Sequence, residues 1–124
     1  MLNRAQRLIL EALPSSGDCF DVAGRLIMDM PDGTLVHACV NGQGPLEGIR
    51  MGHAWVERGN VVVDHSNGKH REIPKELYYS IGGVRQEPGQ YVSYSSREAM
   101  QMMLSTEHFG PWVDLDCKLG PKRG

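Results

Sequence analysis

The chain has 124 residues, 40% of them hydrophobic and 23% charged, with 13 basic against 15 acidic side chains and a net charge of -2. These proportions suit one globular domain that buries a core without staples. They leave no basic footprint for nucleic acid, and no stretch approaches the roughly 20 apolar residues of a membrane span.

The opening segment, Met1 to Leu10, is interrupted by Arg4, Gln6 and Arg7 and lacks the apolar run of a signal peptide. With an odd count of three cysteines and no CxxC pair, a cytoplasmic protein with unpaired thiols is expected. Cys39 is then a buried strand thiol and Cys117 a tail thiol. The basic end (Lys118, Lys122, Arg123) reads as a solvated tail.

Leu8, Ile9, Ala12 and Leu13 predict a helix over residues 3–13 that Pro14 ends. A second helix is predicted from about Asp18 to Met30, with Phe20, Ala23, Ile27 and Met30 as its stripe and Val22 and Leu26 widening it. Thr34 to Val40 alternates as a strand. Asn41 to Gly48 is a Gly- and Pro-containing loop; its G-x-G precedes a strand, so it lacks the helix of a phosphate cradle. Two strands flank the turn residues Arg58-Gly59-Asn60. Residues 66–72 read as a polar loop, Pro74 to Ile81 as a short helix and Tyr91 to Tyr94 as a strand. Ser95 and Glu98 are spaced as the capping box of a last helix reaching about Thr106. The order αα-β-ββ-α-β-α predicts an α+β fold with a small antiparallel sheet.

Cys19 falls in the first turn of the second helix, with Ser16 or Asp18 as its cap. Helix-terminal N–H groups and the macrodipole favour a thiolate there and can receive an oxyanion. Asp18 and Asp21 oppose that effect. His53 and Asp64 lie on the hairpin. If Gly59-Asn60 is a two-residue turn, Arg58 pairs with Val61 and Trp55 with Asp64. His53, Trp55 and Glu57 then share a face with Val62, Asp64 and Ser66. His53 and Asp64 become diagonal neighbours with backbones roughly 7–8 Å apart. Asp64 can then orient the imidazole while the other ring nitrogen serves Cys19. Ser66 and Asn67 are spare candidates for the orienting role.

Gly17-Asp18-Cys19-Phe20-Asp21-Val22-Ala23 resembles the active-site helix of the transglutaminase-like branch of the papain-like cysteine enzymes. Gly52-His53-Ala54-Trp55-Val56-Glu57 resembles that branch's histidine strand, and Val61 to Ser66 its aspartate strand. The resemblance covers residues 16–67. It implies a papain-like (transglutaminase-like) fold with a nucleophile helix packed on a small antiparallel sheet. It also implies Cys19 as nucleophile, His53 as general base and acid, and Asp64 as orienting acid, with no cofactor. The Cys19 backbone N–H supplies one oxyanion donor and Gln43 is a weak candidate for the second; Trp55 reads as core or cleft wall rather than a substrate platform. The chain departs from the family in its short length, in Phe20 where a Trp is common, and in His65-Ser66 after the aspartate. Its compact size also resembles that of small proteins of tailed phages.

The leading expectation is a cysteine hydrolase acting on an amide or isopeptide bond of a protein or peptide. Transglutaminase-type acyl transfer is the alternative with the same residues. A second alternative is a catalytically silent binding module, for which the aromatics Tyr78, Tyr79, Tyr91, Tyr94, Phe109 and Trp112 are candidates. A metal site built from His37, Cys39, His53, His65 and His70 lacks a paired ligand spacing.

Overall fold

The computed structural model describes residues 19–42, 47–65 and 69–117. The predicted helix 3–13, the caps Ser16 and Asp18, Gln43, Ser66, Asn67 and the basic tail lie outside the described residues. Within them the elements are α1 (Cys19–Met28), β1 (Thr34–Asn41), β2 (Arg50–Arg58), β3 (Val61–Asp64), β4 (Arg71–Pro74), α2 (Lys75–Gly82), β5 (Tyr91–Ser95) and α3 (Ser96–Thr106). The protein is α+β, with one antiparallel sheet in the order β4-β3-β2-β1-β5.

The hairpin has the two-residue register. Arg58 pairs with Val61, Glu57 with Val62 and Val56 with Val63. Gly59 takes a φ of 60°, while Asn60 is not among the residues with positive φ. That is the pattern of a type II′ turn, whose first central position calls for glycine and whose twist suits a hairpin. Continued by one step, the register sets Trp55 against Asp64.

Both faces of the sheet are covered, which explains why β1 is buried over its six central residues. On one face Val36, Ala38, Val40, Trp55, Val62 and Ile73 pack beneath Tyr78 of α2. On the other, Leu35, Ala54, Val56 and Val63 meet Ala23, Leu26, Ile27 and Met30 of the α1 segment and Ala99 of α3. Gly24 lets α1 approach the C-terminal segment, since a Cβ there would overlap the ring of Phe109. The capping box at α3 forms as the spacing predicts: Glu98 N–H donates to Ser95 Oγ at 3.0 Å, and Ser95 N–H to Glu98 Oε1 at 2.8 Å.

Two expectations are corrected. The polar loop predicted over residues 66–72 gives way at Arg71 to β4, an edge strand whose arginine points inward. That inward charge disguises the alternation, and Pro74 is tolerated because it ends an edge strand. Cys39 and Cys117 are not separate thiols: they form a disulfide across a sequence separation of 78, with Cα atoms 5.3 Å apart. The inference from unpaired cysteines to a reducing compartment loses its premise. The bond ties the C-terminal segment to the most buried strand. Gln90 Nε2 donating to the Asp116 carbonyl at 2.6 Å, and Asp116 N–H donating to Gly89 O at 2.7 Å, hold the same segment. Among the described residues no helix is long and apolar enough to cross a membrane.

His37 sits fully buried beside the disulfide on β1. Its ring is enclosed by Phe20, Trp112 and Tyr94 at centroid distances of 4.8, 5.0 and 5.3 Å, and neither ring nitrogen has a hydrogen-bond partner among the described residues. Burial lowers its pKa from 6.5 to about 4. The folded state therefore takes up this proton later than the unfolded state as pH falls. The neutral ring imposes no pH penalty above about 6.5, and stability falls between about 6.5 and about 4. The loss from this group is on the order of 3 kcal/mol. Urea unfolding across that range should show His37→Leu with a shallower acid limb than wild type; identical limbs would contradict a neutral buried ring.

Candidate functional site

The two faces of the sheet divide the three site residues predicted from sequence. His53 lies on β2 in register with Ala38, on the face that carries Trp55, Glu57, Val62 and Asp64. The body of α1, which begins at Cys19, packs on the opposite face. A thiol on α1 can meet His53 only around the end of β3, which stops at Asp64. Helical spacing puts Cys19 on the same side of α1 as Val22 and Leu26. Those two residues border a recess shared with His65, the residue after β3. Cys19 is thus on the side of its helix that faces the end of β3.

Of the three cysteines only Cys19 stays a thiol, and it is half-buried. Asp21 in the first turn opposes negative charge there. His53 is 1% exposed, with its ring 5.8 Å from that of Trp55. Asp64 is buried and accepts a hydrogen bond from Arg71 Nη1 on its Oδ2 at 3.0 Å. Register places the two opposite each other on β3 and β4. A buried guanidinium pairs with the carboxylate and engages one of its oxygens. Sequence reasoning missed Arg71, although an arginine seven residues after the aspartate fits a short hairpin return.

Tyr78 of α2 is fully buried over the sheet face that carries Trp55 and Val62. Burial pushes its hydroxyl well above the usual phenol range, with the charge of Asp64 a smaller cause in the same direction.

Trp55 is 1% exposed and belongs to the core; its indole N–H donates to Glu57 Oε2 at 2.9 Å, so it presents no cleft wall. The Glu57 carboxylate also accepts from the Tyr79 hydroxyl and pairs with Lys75 Nζ at 3.3 Å. The Tyr79 and Tyr91 hydroxyls are 3.0 Å apart. This network satisfies the polar groups that the His-Ala-Trp-x-Glu pattern carries inward. Of the aromatics named for a binding module, Tyr78 is fully buried, and the half-buried Tyr79, Tyr91, Tyr94 and Trp112 make ring contacts with neighbours. Of the metal candidates, Cys39 is in the disulfide and His37 is enclosed by rings. His65 and His70 bond each other at 2.8 Å. Among the described residues no group of three or more His, Cys, Asp or Glu is placed to hold a metal ion.

A cleft of about 720 Å³ opens beside the chain neighbours of the candidate pair. Phe20 follows Cys19 and Gly52 precedes His53; both line the cleft, with Arg50 and the C-terminal segment from Pro111 to Cys117 completing it. Arg50 is held in place by Asn41 Oδ1 and the Cys39 carbonyl, each at 3.0 Å. In comparisons with known proteins, no family model, no curated protein and no solved structure matches the chain.

Breaking a buried ion pair by removing one partner costs roughly 3–5 kcal/mol. Arg71→Met should lose stability of that order in denaturant unfolding, and the double change Asp64→Leu with Arg71→Met should recover most of it. A loss in Arg71→Met no larger than that of an exposed pair, below about 1 kcal/mol, would show that the pair does not hold β4.

Proposed function

We propose that this protein is a cysteine-dependent hydrolase of amide or isopeptide bonds in proteins or peptides, on a papain-like scaffold of the transglutaminase-like type. One observation carries the reading. A buried carboxylate paired with a buried arginine shares a sheet face with a buried histidine, and the thiol outside the disulfide opens the helix whose Val22 and Leu26 border a recess with His65, the residue after that carboxylate.

The chemistry follows from these roles. His53 takes the Cys19 proton, and the imidazolium so formed is stabilised by Asp64, whose orientation Arg71 fixes. The thiolate attacks the amide carbonyl, and the Cys19 backbone N–H receives the oxyanion. His53 then protonates the leaving amine. Water, deprotonated by His53, cleaves the thioester and returns the thiol. The cleft between Phe20, Gly52 and the disulfide-tethered segment, lined by the chain neighbours of Cys19 and His53, is the groove assigned to the peptide. An amine in place of water would make the same site an acyltransferase; hydrolysis is favoured because so small a domain offers little surface for a second substrate.

The test is turnover of a mixed peptide digest, with acid-quenched protein examined by mass spectrometry. Wild type should release new carboxyl termini or ammonia and carry a hydroxylamine-labile acyl adduct on Cys19. Cys19→Ala should do neither, with a loss of at least about 10³-fold in rate, as expected when a nucleophile is removed. Equal turnover in Cys19→Ala, or no adduct and no turnover in wild type, would defeat the proposal.

A further inference from the structure

Arg50 opens β2 and lines the cleft together with Phe20, Gly52 and the segment from Pro111 to Cys117. Its guanidinium is held by three neutral acceptors. Nη1 donates to Asn41 Oδ1 at 3.0 Å, and Nη2 donates to the Cys39 carbonyl at 3.0 Å and to Gln90 Oε1 at 3.3 Å. Two of these partners are tied to the cleft wall: Cys39 is bonded to Cys117, and Gln90 Nε2 donates to the Asp116 carbonyl. Cys117 and Asp116 both line the cleft. The guanidinium is therefore fixed beside the disulfide end of the cleft.

Its charge is not matched there. Arg71 pairs with Asp64, Arg58 with Asp32 and Lys75 with Glu57, but among the described residues no carboxylate forms an ion pair with Arg50. Arg50 is half-buried, and a cation drawn partly out of water calls for an anion. Burial and then the charge of Arg85 work against the cation, and Glu87 favours it. A guanidinium nevertheless stays charged in a protein. Neutral acceptors orient such a group without neutralising it, which leaves a receptor for a carboxylate.

The rest of the lining narrows the ligand. Phe20, Pro111, Val113 and Leu115 suit the apolar flank of a peptide. Asp114 and Asp116 are exposed on the cleft wall and do not pair with Arg50. Both repel a second negative charge. That pattern suits a peptide with a single carboxylate and works against a phosphate or another polyanion.

We propose that Arg50 is a specificity residue of the cleft, binding one carboxylate of the peptide substrate, from an acidic side chain or from the C-terminus. The inference deepens the proposed hydrolase function and rests on it. Arg50 places the peptide and takes no part in proton transfer or in attack on the carbonyl.

The test begins with the peptides that wild type cleaves from the mixed digest, sequenced by mass spectrometry. They should carry a carboxylate at one fixed spacing from the cut. A fixed spacing to Asp or Glu identifies the side chain as its source; a fixed spacing to the end of the peptide identifies the C-terminus. The fastest of these peptides is then compared with a neutral counterpart in which that carboxylate is replaced by its amide. Wild type should lose about tenfold in kcat/KM on the neutral counterpart, mainly through KM. Arg50→Gln should show the same loss on the acidic peptide and little further loss on the neutral one. Cleaved peptides with no such carboxylate, or equal kcat/KM for the two peptides in wild type, overturn the inference whatever the fold of the variant, and leave the hydrolase reading standing. A loss in Arg50→Gln that is equal on both peptides also overturns it and makes the arginine structural. A digest that wild type leaves uncleaved defeats the hydrolase reading itself, and this inference with it.

Discussion

A carboxylate taken out of water must be paired, and at Asp64 the partner is Arg71 on the adjoining strand, itself buried. Much of the molecule is organised around that requirement. The pair holds the four-residue edge strand β4 against β3, and β4 leads directly into α2. α2 in turn lays Tyr78 over Trp55 and closes one face of the sheet. The same bond ties down one oxygen of Asp64 on the face that bears His53. One electrostatic constraint thus serves both the fold and the proposed chemistry.

Both faces of β2 are put to use. Trp55 and Glu57 satisfy each other inward on the α2 side, and Ala54 and Val56 accept α1 on the other. The consequence is a thiol helix and a histidine on opposite sides of the central strand. The proposed chemistry requires them to meet where the neighbouring strand is short. The shortness of β3, four residues against nine in β2, is therefore a functional feature in this account. The disulfide performs a complementary task at the other end of the cleft, anchoring to β1 a C-terminal segment that has no regular structure of its own up to Asp116.

The parts of this structure legible in the sequence are those governed by local rules. Gly59-Asn60 sets the hairpin register because a two-residue turn with glycine first matches the twist of its strands. Ser95 and Glu98 announce α3 through reciprocal bonds. The joint placement of His53 and Asp64 on one face follows from that register alone. What escaped was non-local. β4 hides behind an inward arginine whose sense lies in a partner on another strand. The Cys39–Cys117 bond joins residues separated by 78 positions, which no local spacing encodes. The side of the sheet that receives α1 is likewise decided by packing. Tyr78 reads as an exposed interface aromatic in sequence, yet it is among the most buried side chains of the described residues.

The central claim is that Cys19 and His53 form one protonation unit. The most direct measurement is the pH titration of the His53 ring, followed by NMR of labelled imidazole nitrogens, in wild type and in Cys19→Ala. A thiolate beside the ring favours the imidazolium, so the account predicts that removing the thiol lowers the His53 titration midpoint by about one unit or more. A midpoint indifferent to Cys19 would mean that the two side chains do not meet, and the proposed chemistry would have no base.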